Sequence, residues 1–146
     1  MSDSITIKND KTPEVMKAIE EAIPDALEII GIKIEKYAKA LCPVGTPEST
    51  GKKGYRGGTL RDSITHEVEE KELAVGSNVE YAPYVELGTG RHFQMPPEWE
   101  HFGSEKGAGL VEGMTPRPYL RPAVEDHLNE YVDIFKSEIK KALDKL

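Results

Sequence analysis

The stretch Ser63-Ile64-Thr65-His66-Glu67-Val68-Glu69 alternates apolar and polar side chains with a period of two, and Leu73-Ala74-Val75-Gly76-Ser77 follows it after a charged turn. Alternation of this kind marks a strand covered on one face. Two such runs across a short turn predict an antiparallel hairpin, with Ile64 and Val68 on the covered side.

Cover for that hairpin must come from the flanks, where the periodicity changes. Upstream, Val15, Ile19, Ala22, Ala26, Ile30, Ile34, Tyr37 and Leu41 recur every three or four residues, the stripe of one long helix. Its start reads Thr12-Pro13-Glu14, a capping residue, a proline suited to the first turn and an acid at the positive end of the dipole. Pro24 falls inside the stripe and predicts a kink or a break near Ala22–Pro24. Downstream of Pro122, Val124, Leu128, Tyr131, Phe135, Ile139, Ala142 and Leu146 keep helical spacing, with acids early and lysines late. A helix of roughly 23 residues would be about 35 Å long and must lie across the sheet or the first helix. The expected fold is α+β: a small antiparallel sheet with a β-hairpin, packed against a long N-terminal helix kinked near Pro24 and a long C-terminal helix.

Helix breakers concentrate between the flanks. Twelve of thirteen glycines and eight of ten prolines lie between Cys42 and Ala123. Tyr81-Ala82-Pro83-Tyr84-Val85-Glu86-Leu87 is short and apolar, and Pro83 favours a helical turn over a strand there. Two long loops remain, residues 43–58 and 88–115, and loops of such length usually carry function.

Composition narrows the function classes. A chain of 146 residues has the length of a single domain, residues 1–146, and its 38% hydrophobic and 31% charged content allows a modest core. A net charge of −7 opposes sequence-independent binding to a polyanion. Cys42 stands alone, which excludes an internal disulfide framework and fits a reducing compartment. No basic leader with an apolar run and no long apolar stretch suggests secretion or membrane insertion.

Several stretches imitate reactive motifs. Gly45-Thr46-Pro47-Glu48-Ser49-Thr50-Gly51-Lys52-Lys53 has five residues between its glycines and a second lysine where a phosphate-binding loop needs Ser or Thr. Gly88-Thr89-Gly90 lacks the third glycine of a dinucleotide fingerprint. His92, Glu98, Glu100 and His101 could serve a small metal-dependent hydrolase using the 92–101 loop, although no helix holds them in register. Lys52, Lys53, Arg56 and Arg61 would be the basic set of a nucleic-acid module. His66 and His127 read as strand and helix-face residues, and Cys42 as a half-buried structural thiol. Phe93, Trp99 and Phe102 cluster within ten residues, either pinning the loop or forming a contact patch for a partner.

Five blocks in order then carry a resemblance: Pro43-Val44 after the long helix, Gly58-Thr59-Leu60-Arg61-Asp62-Ser63-Ile64, Val75-Gly76-Ser77, Tyr81 to Gly90, and Pro116-Arg117-Pro118-Tyr119-Leu120-Arg121-Pro122-Ala123. From about Ile30 onward the chain resembles the tail-component family of long-tailed bacteriophages, the head–tail joining, neck and tail-completion set. The resemblance implies a virion protein without catalysis or cofactor, found at the head–tail junction and in host cytoplasm during assembly. It implies a ring of its own copies, hexameric or dodecameric, and contact with other connector and tail proteins. No sequence-specific nucleic acid and no membrane is implied, only DNA passing through the assembly. A tail terminator or minor tail protein of the same fold is the neighbouring role. Leu60, Ser63, Tyr81, Tyr84, Val85, Glu86, Gly88, Thr89, Gly90, Pro118, Tyr119, Leu120, Arg121 and Pro122 become the structural motif residues. Lys52, Lys53, Tyr55, Arg56, Arg91, Phe93, Trp99 and Phe102 become the candidate assembly interface. The three prolines at 116, 118 and 122 predict a stiff, extended anchor that seats the last helix on the sheet, with Tyr119 and Leu120 buried. Arg117 and Arg121 would pair with a carboxylate such as Glu86 or with a neighbouring subunit.

Overall fold

A computed structural model describes residues 4–45, 51, 53, 57–93 and 113–146. The elements run α1 (Thr12–Leu41), α2 (Thr59–Ser63), β1 (Thr65–Glu69), β2 (Glu72–Gly76), α3 (Ala82–Leu87), a 3-10 turn at Gly90–His92, α4 (Leu120–Glu125) and α5 (Leu128–Asp144).

Everything else is arranged around α1, whose 30 residues span about 45 Å. Thr12 is already helical, so the expected cap moves outward: Asp10 Oδ1 accepts the Thr12 N–H at 2.9 Å. Of the two outcomes expected at Pro24, the break does not occur, and the helix runs through it. Ala22, Ala26, Ile30, Ile34 and Ala38 are buried at a spacing of four and form the spine of the core. Leu60, Ile64, Ala82, Tyr119, Ala123 and Tyr131 close over it.

The hairpin lies on one side of α1. Its strands pair antiparallel with Thr65 opposite Gly76 and Glu69 opposite Glu72. Glu70 turns the chain at φ +53°. The sequence places the strand start at Ser63, but Gly58 at φ +110° opens a helical turn instead and Ser63 closes it. A relay of hydroxyls fixes that junction, from Val79 N–H (3.1 Å) to Ser77 Oγ, on to Ser63 Oγ (2.6 Å) and finally to the Leu60 carbonyl (2.6 Å). Ile64 stays buried as expected, and His66 and Val68 follow it on the covered face.

Gly31 sets the distance between hairpin and helix. A Cβ there would lie 2.4 Å from His66 Cδ2 and 2.9 Å from Leu73 Cδ1. The thirteenth glycine, alone inside a helical stripe, is therefore a close-packing residue. His66 then reaches across to α1 with both ring nitrogens, Nε2 to Glu28 Oε1 at 2.8 Å and Nδ1 to Glu35 Oε2. Only the imidazolium can donate to both carboxylates.

The last helices occupy another side of α1. Where one helix of roughly 23 residues is expected after Pro122, two stand, and α5 has 17 residues. Pro122 sits in the first turn of α4, where a missing N–H costs no intrahelical bond. The chain turns at Asp126–His127, and the Ala123 carbonyl accepts the buried Tyr131 hydroxyl. Contrary to the expected anchor on the sheet, α4 and α5 pack on α1. Tyr37 donates to Glu130 at 2.6 Å, Lys33 pairs with Glu130 at 3.2 Å, and the Tyr37 and His127 rings stack 3.6 Å apart. The hairpin and the last helices thus meet α1 through different polar partners while sharing one apolar cluster on it.

Two outcomes test this arrangement. Gly31→Ala gains helix propensity of up to about 1 kcal/mol but forces the hairpin outward, an overpacking cost of about 1–3 kcal/mol. Chemical denaturation should show a net loss of stability. The pH dependence follows from the His66 bridge. Burial alone would lower the His66 pKa, but the bonds to Glu28 and Glu35 outweigh it and raise the value. Burial likewise opposes Glu35 ionisation, and His66 and Lys39 together hold its carboxyl below its ordinary value. The His66 contribution is full below its ordinary pKa and fades as pH rises through the raised value, while the Glu35 contribution is full above its ordinary pKa and fades as pH falls through the lowered one. The bridge should therefore stabilise most between about pH 4.5 and 6.5. A His66→Gln variant should flatten the stability–pH curve on the alkaline side of that window.

Candidate assembly interface

The third helix carries a buried charge. Pro83 suits the first turn of α3, and the six residues split by face: Ala82, Glu86 and Leu87 inward, Pro83 and Tyr84 outward. Glu86 is buried, yet the sequence offers it no cation on that face. Backbone amides take the role. Its Oε2 accepts the N–H groups of Tyr119 (2.7 Å) and Leu120 (3.0 Å), and Oε1 accepts that of Arg121 (3.0 Å). These are the opening amides of α4, which has no side-chain cap of its own. A helix start leaves such donors unpaired, and a carboxylate satisfies them with charge-assisted bonds. Glu86 is thus met by amide capping, and the carboxylate that Arg121 pairs with is Glu125, at 3.2 Å.

The backbone on either side of Glu86 completes a clasp. Arg117 N–H donates to the Val85 carbonyl (2.8 Å), Thr89 N–H to the Met114 carbonyl (2.9 Å), and Met114 N–H to Thr89 Oγ1 (2.8 Å). Gly88 (φ +78°) and Gly113 (φ +74°) make the approach possible, since a Cβ on Gly88 would lie 2.7 Å from the Met114 carbonyl oxygen. The Gly-Thr-Gly and Pro-Arg-Pro blocks are two halves of one structure. Residues 116–118 are not helical, as the prolines require, but the helix resumes at Leu120 once Glu86 caps it.

Beneath the clasp lies the end of α1. Tyr119 is fully buried beside Cys42, and its hydroxyl has no hydrogen-bond partner among the described residues. Burial, aided by Glu86, drives that phenol far above its ordinary pKa. Cys42 is buried too; burial raises its thiol pKa, Arg61 pulls it back in part, and Glu86 adds to the rise. A thiol kept protonated is a packing group, as the sequence suggests. Leu60 closes the same pocket of core, while Leu120 is only half-buried.

What the clasp leaves outside is aromatic and basic. Tyr81 and Tyr84 are 46% and 54% exposed, Arg91 and Arg117 are exposed, and Phe93 is half-buried after the 3-10 turn. Of the other expected interface residues, Lys53 is exposed and makes no hydrogen bond or ion pair to Arg91 or Phe93 among the described residues. Lys52, Tyr55, Arg56, Trp99 and Phe102 lie outside the described residues. So do Glu98, Glu100 and His101 of the hydrolase set and most of the phosphate-loop imitation. The base of that first loop is pinched: a Cβ on Gly57 would meet the Gly45 carbonyl oxygen. Among the described residues no three His, Cys, Asp or Glu side chains gather as metal ligands. His127 stands at the N-cap position of α5 without a side-chain capping bond and stacks on Tyr37.

Sequence reasoning missed the role of Glu86, and the signal for it was present. A lone acid inside Tyr-Val-Glu-Leu, and a helix start at Tyr119-Leu120 without Ser, Thr, Asp or Asn, each lack what the other supplies. Removing the carboxylate by Glu86→Ala should cost about 3 kcal/mol or more, since hydrogen bonds to charged groups contribute about 1.5–3 kcal/mol each and several would be lost together. Urea denaturation should show it, with the near-ultraviolet signal of Tyr119 changing in parallel.

The expectation of a phage tail component can be set against known proteins. Neither a curated protein nor a solved structure matches the chain significantly. A family model does, over residues 6–88, which spans α1, the hairpin and the Glu86 half of the clasp. No helix among the described residues is long and apolar enough to cross a membrane. With more than half of its length matched, this chain belongs to the bacteriophage HK97-gp10-like family, whose members are described as tail components.

Proposed function

We propose that this protein joins head to tail in a long-tailed phage, as a neck or tail-completion component that closes into a ring of its own copies at the portal–tail junction. The observation that carries the reading is the division of labour within α3. Its inward residues are consumed by the clasp, while Tyr84, and Tyr81 just before the helix, stand exposed, as do Arg91 and Arg117 on the segments next to the clasp. Exposed Tyr and Arg on a fixed platform are the residue types that dominate binding energy at interfaces. They lose little conformational entropy when a partner covers them, because the platform is already ordered.

Ring formation asks for two different surfaces on each copy, so that each contact is heterologous and the set closes. The net charge of −7 suits a wall along which DNA passes without being held. Contacts to portal-side and tail-side proteins belong to the same proposal, and so does location at the junction within the virion.

Electron microscopy of the purified protein, alone and mixed with its portal-side neighbour, should show rings. A chain that stays monomeric and is not incorporated into virions would overturn the reading. Tyr81→Ala/Tyr84→Ala should abolish assembly yet leave the melting midpoint nearly unchanged, because surface substitutions of this kind usually stay within about 0.5 kcal/mol.

A further inference from the structure

Before α1, Ser4-Ile5-Thr6-Ile7-Lys8 alternates like a strand and belongs to no element. Ile5 is 95% exposed and Ile7 76%, the most exposed large apolar side chains among the described residues. Its exit from the helix is directed: Asn9 adopts φ +60° and the Asp10 carboxylate holds the Thr12 amide. A β-branched run of period two, with apolar residues on one face, has strand character and no sheet.

The sheet has the complementary deficiency. It contains two strands only, and among the described residues no backbone hydrogen bond leaves the outer edge of β1 or β2. An open edge is a template for another strand. Charge chooses between the two edges. Beyond its covered face, β1 presents Glu67 and Glu69, with Glu70 at the turn, whereas β2 presents Glu72 and the neutral Ala74. Within Ser4–Lys8 the charge is Lys8 alone, while Asp3, Asp10 and Lys11 flank the strand outside it.

We propose that the Ser4–Lys8 segment of one copy adds as a third strand to the outer edge of β1 in the next copy. Ile5 and Ile7 then lie on the face of Val68, and Thr6 and Lys8 on the face of Glu67 and Glu69. Main-chain bonds supply the affinity and the alternation sets the register. Each copy gives a strand at one place and receives one at another, which is the heterologous contact that a ring needs. The inference rests on the assembly reading above and names one of its surfaces. A copy could also fold the segment back on its own hairpin, whose tip lies near Glu20, where Lys71 pairs 4.0 Å away, about 12 Å along α1 from Thr12.

Cysteine cross-linking separates these cases. In a Cys42→Ser background, Thr6→Cys protein mixed with Glu67→Cys or Glu69→Cys protein should give a covalent dimer on mild oxidation. Glu72→Cys should not. If Thr6→Cys with Glu67→Cys in one chain yields only an internal, concentration-independent disulfide, the segment pairs with its own hairpin and the proposal fails. It fails also if neither β1 position cross-links, or if an Ile5→Asp/Ile7→Asp variant still forms rings. That variant should lose the rings and keep the melting midpoint, since both side chains are exposed in the folded chain. Rings that survive the variant overturn strand addition alone; a wild-type chain without rings overturns the neck reading, while the cross-link still reports on the strand.

Discussion

A carboxylate cannot remain charged inside a protein unless donors surround it, and Glu86 meets that constraint with the backbone of a segment more than thirty residues away in sequence. The consequence runs in both directions. The charge is satisfied only if Tyr119, Leu120 and Arg121 arrive in helical geometry, and α4 has a capped start only if Glu86 is in place. One interaction therefore ties the middle of the chain to its end and fixes where the last two helices begin. Because three amides share one carboxylate, a small shift of either partner breaks more than one bond, and the pairing acts as a single cooperative unit.

The rest of the architecture is consistent with α1 as a long beam that other elements join separately. The hairpin approaches closely at Gly31 and is held by the His66 bridge to Glu28 and Glu35. The last helices dock through Tyr37, Lys33 and the apolar row of spacing four. The two attachments use different polar partners on α1 but share its buried spine, where Ile64, Ala123 and Tyr131 belong to one apolar cluster.

The periodic features of the sequence were legible because they are local. Alternation over 64–68 gave the hairpin, spacing of three and four gave α1 and α5, and Pro83 turned 81–87 into a helical turn. What failed was set by non-local partners. Nothing in the stripe after Pro122 reveals that the Ala123 carbonyl will be taken by the Tyr131 hydroxyl, which divides the expected long helix into α4 and α5. The prolines of 116–122 correctly excluded helix at their start, but Glu86 overrides the last of them by capping the chain at Tyr119. Of the candidate interface, exposure of Lys53 and Arg91 follows from their charge. Tyr81 and Tyr84 were legible only as motif residues; α3 had to be built before they separated from Glu86 as the outward half.

That separation bears on how such a motif can be shared by proteins with different neighbours. A short helix with one face committed to a buried carboxylate and the other to solvent constrains its two faces by different physics. Inward positions are fixed by the geometry of three amides and by glycines at positive φ, where any larger residue collides with backbone. Outward positions answer only to whatever covers them. The exposed strand Ser4–Lys8 and the open edge of β1 stand in the same relation, since neither is needed to complete the core around Ile34, Ala38, Cys42 and Tyr119. Among the described residues, the core is closed by this chain's own side chains at the clasp, while Ile5, Ile7 and the strand-edge amides stand on the surface. Closing the clasp therefore asks nothing of the groups that stand on those surfaces.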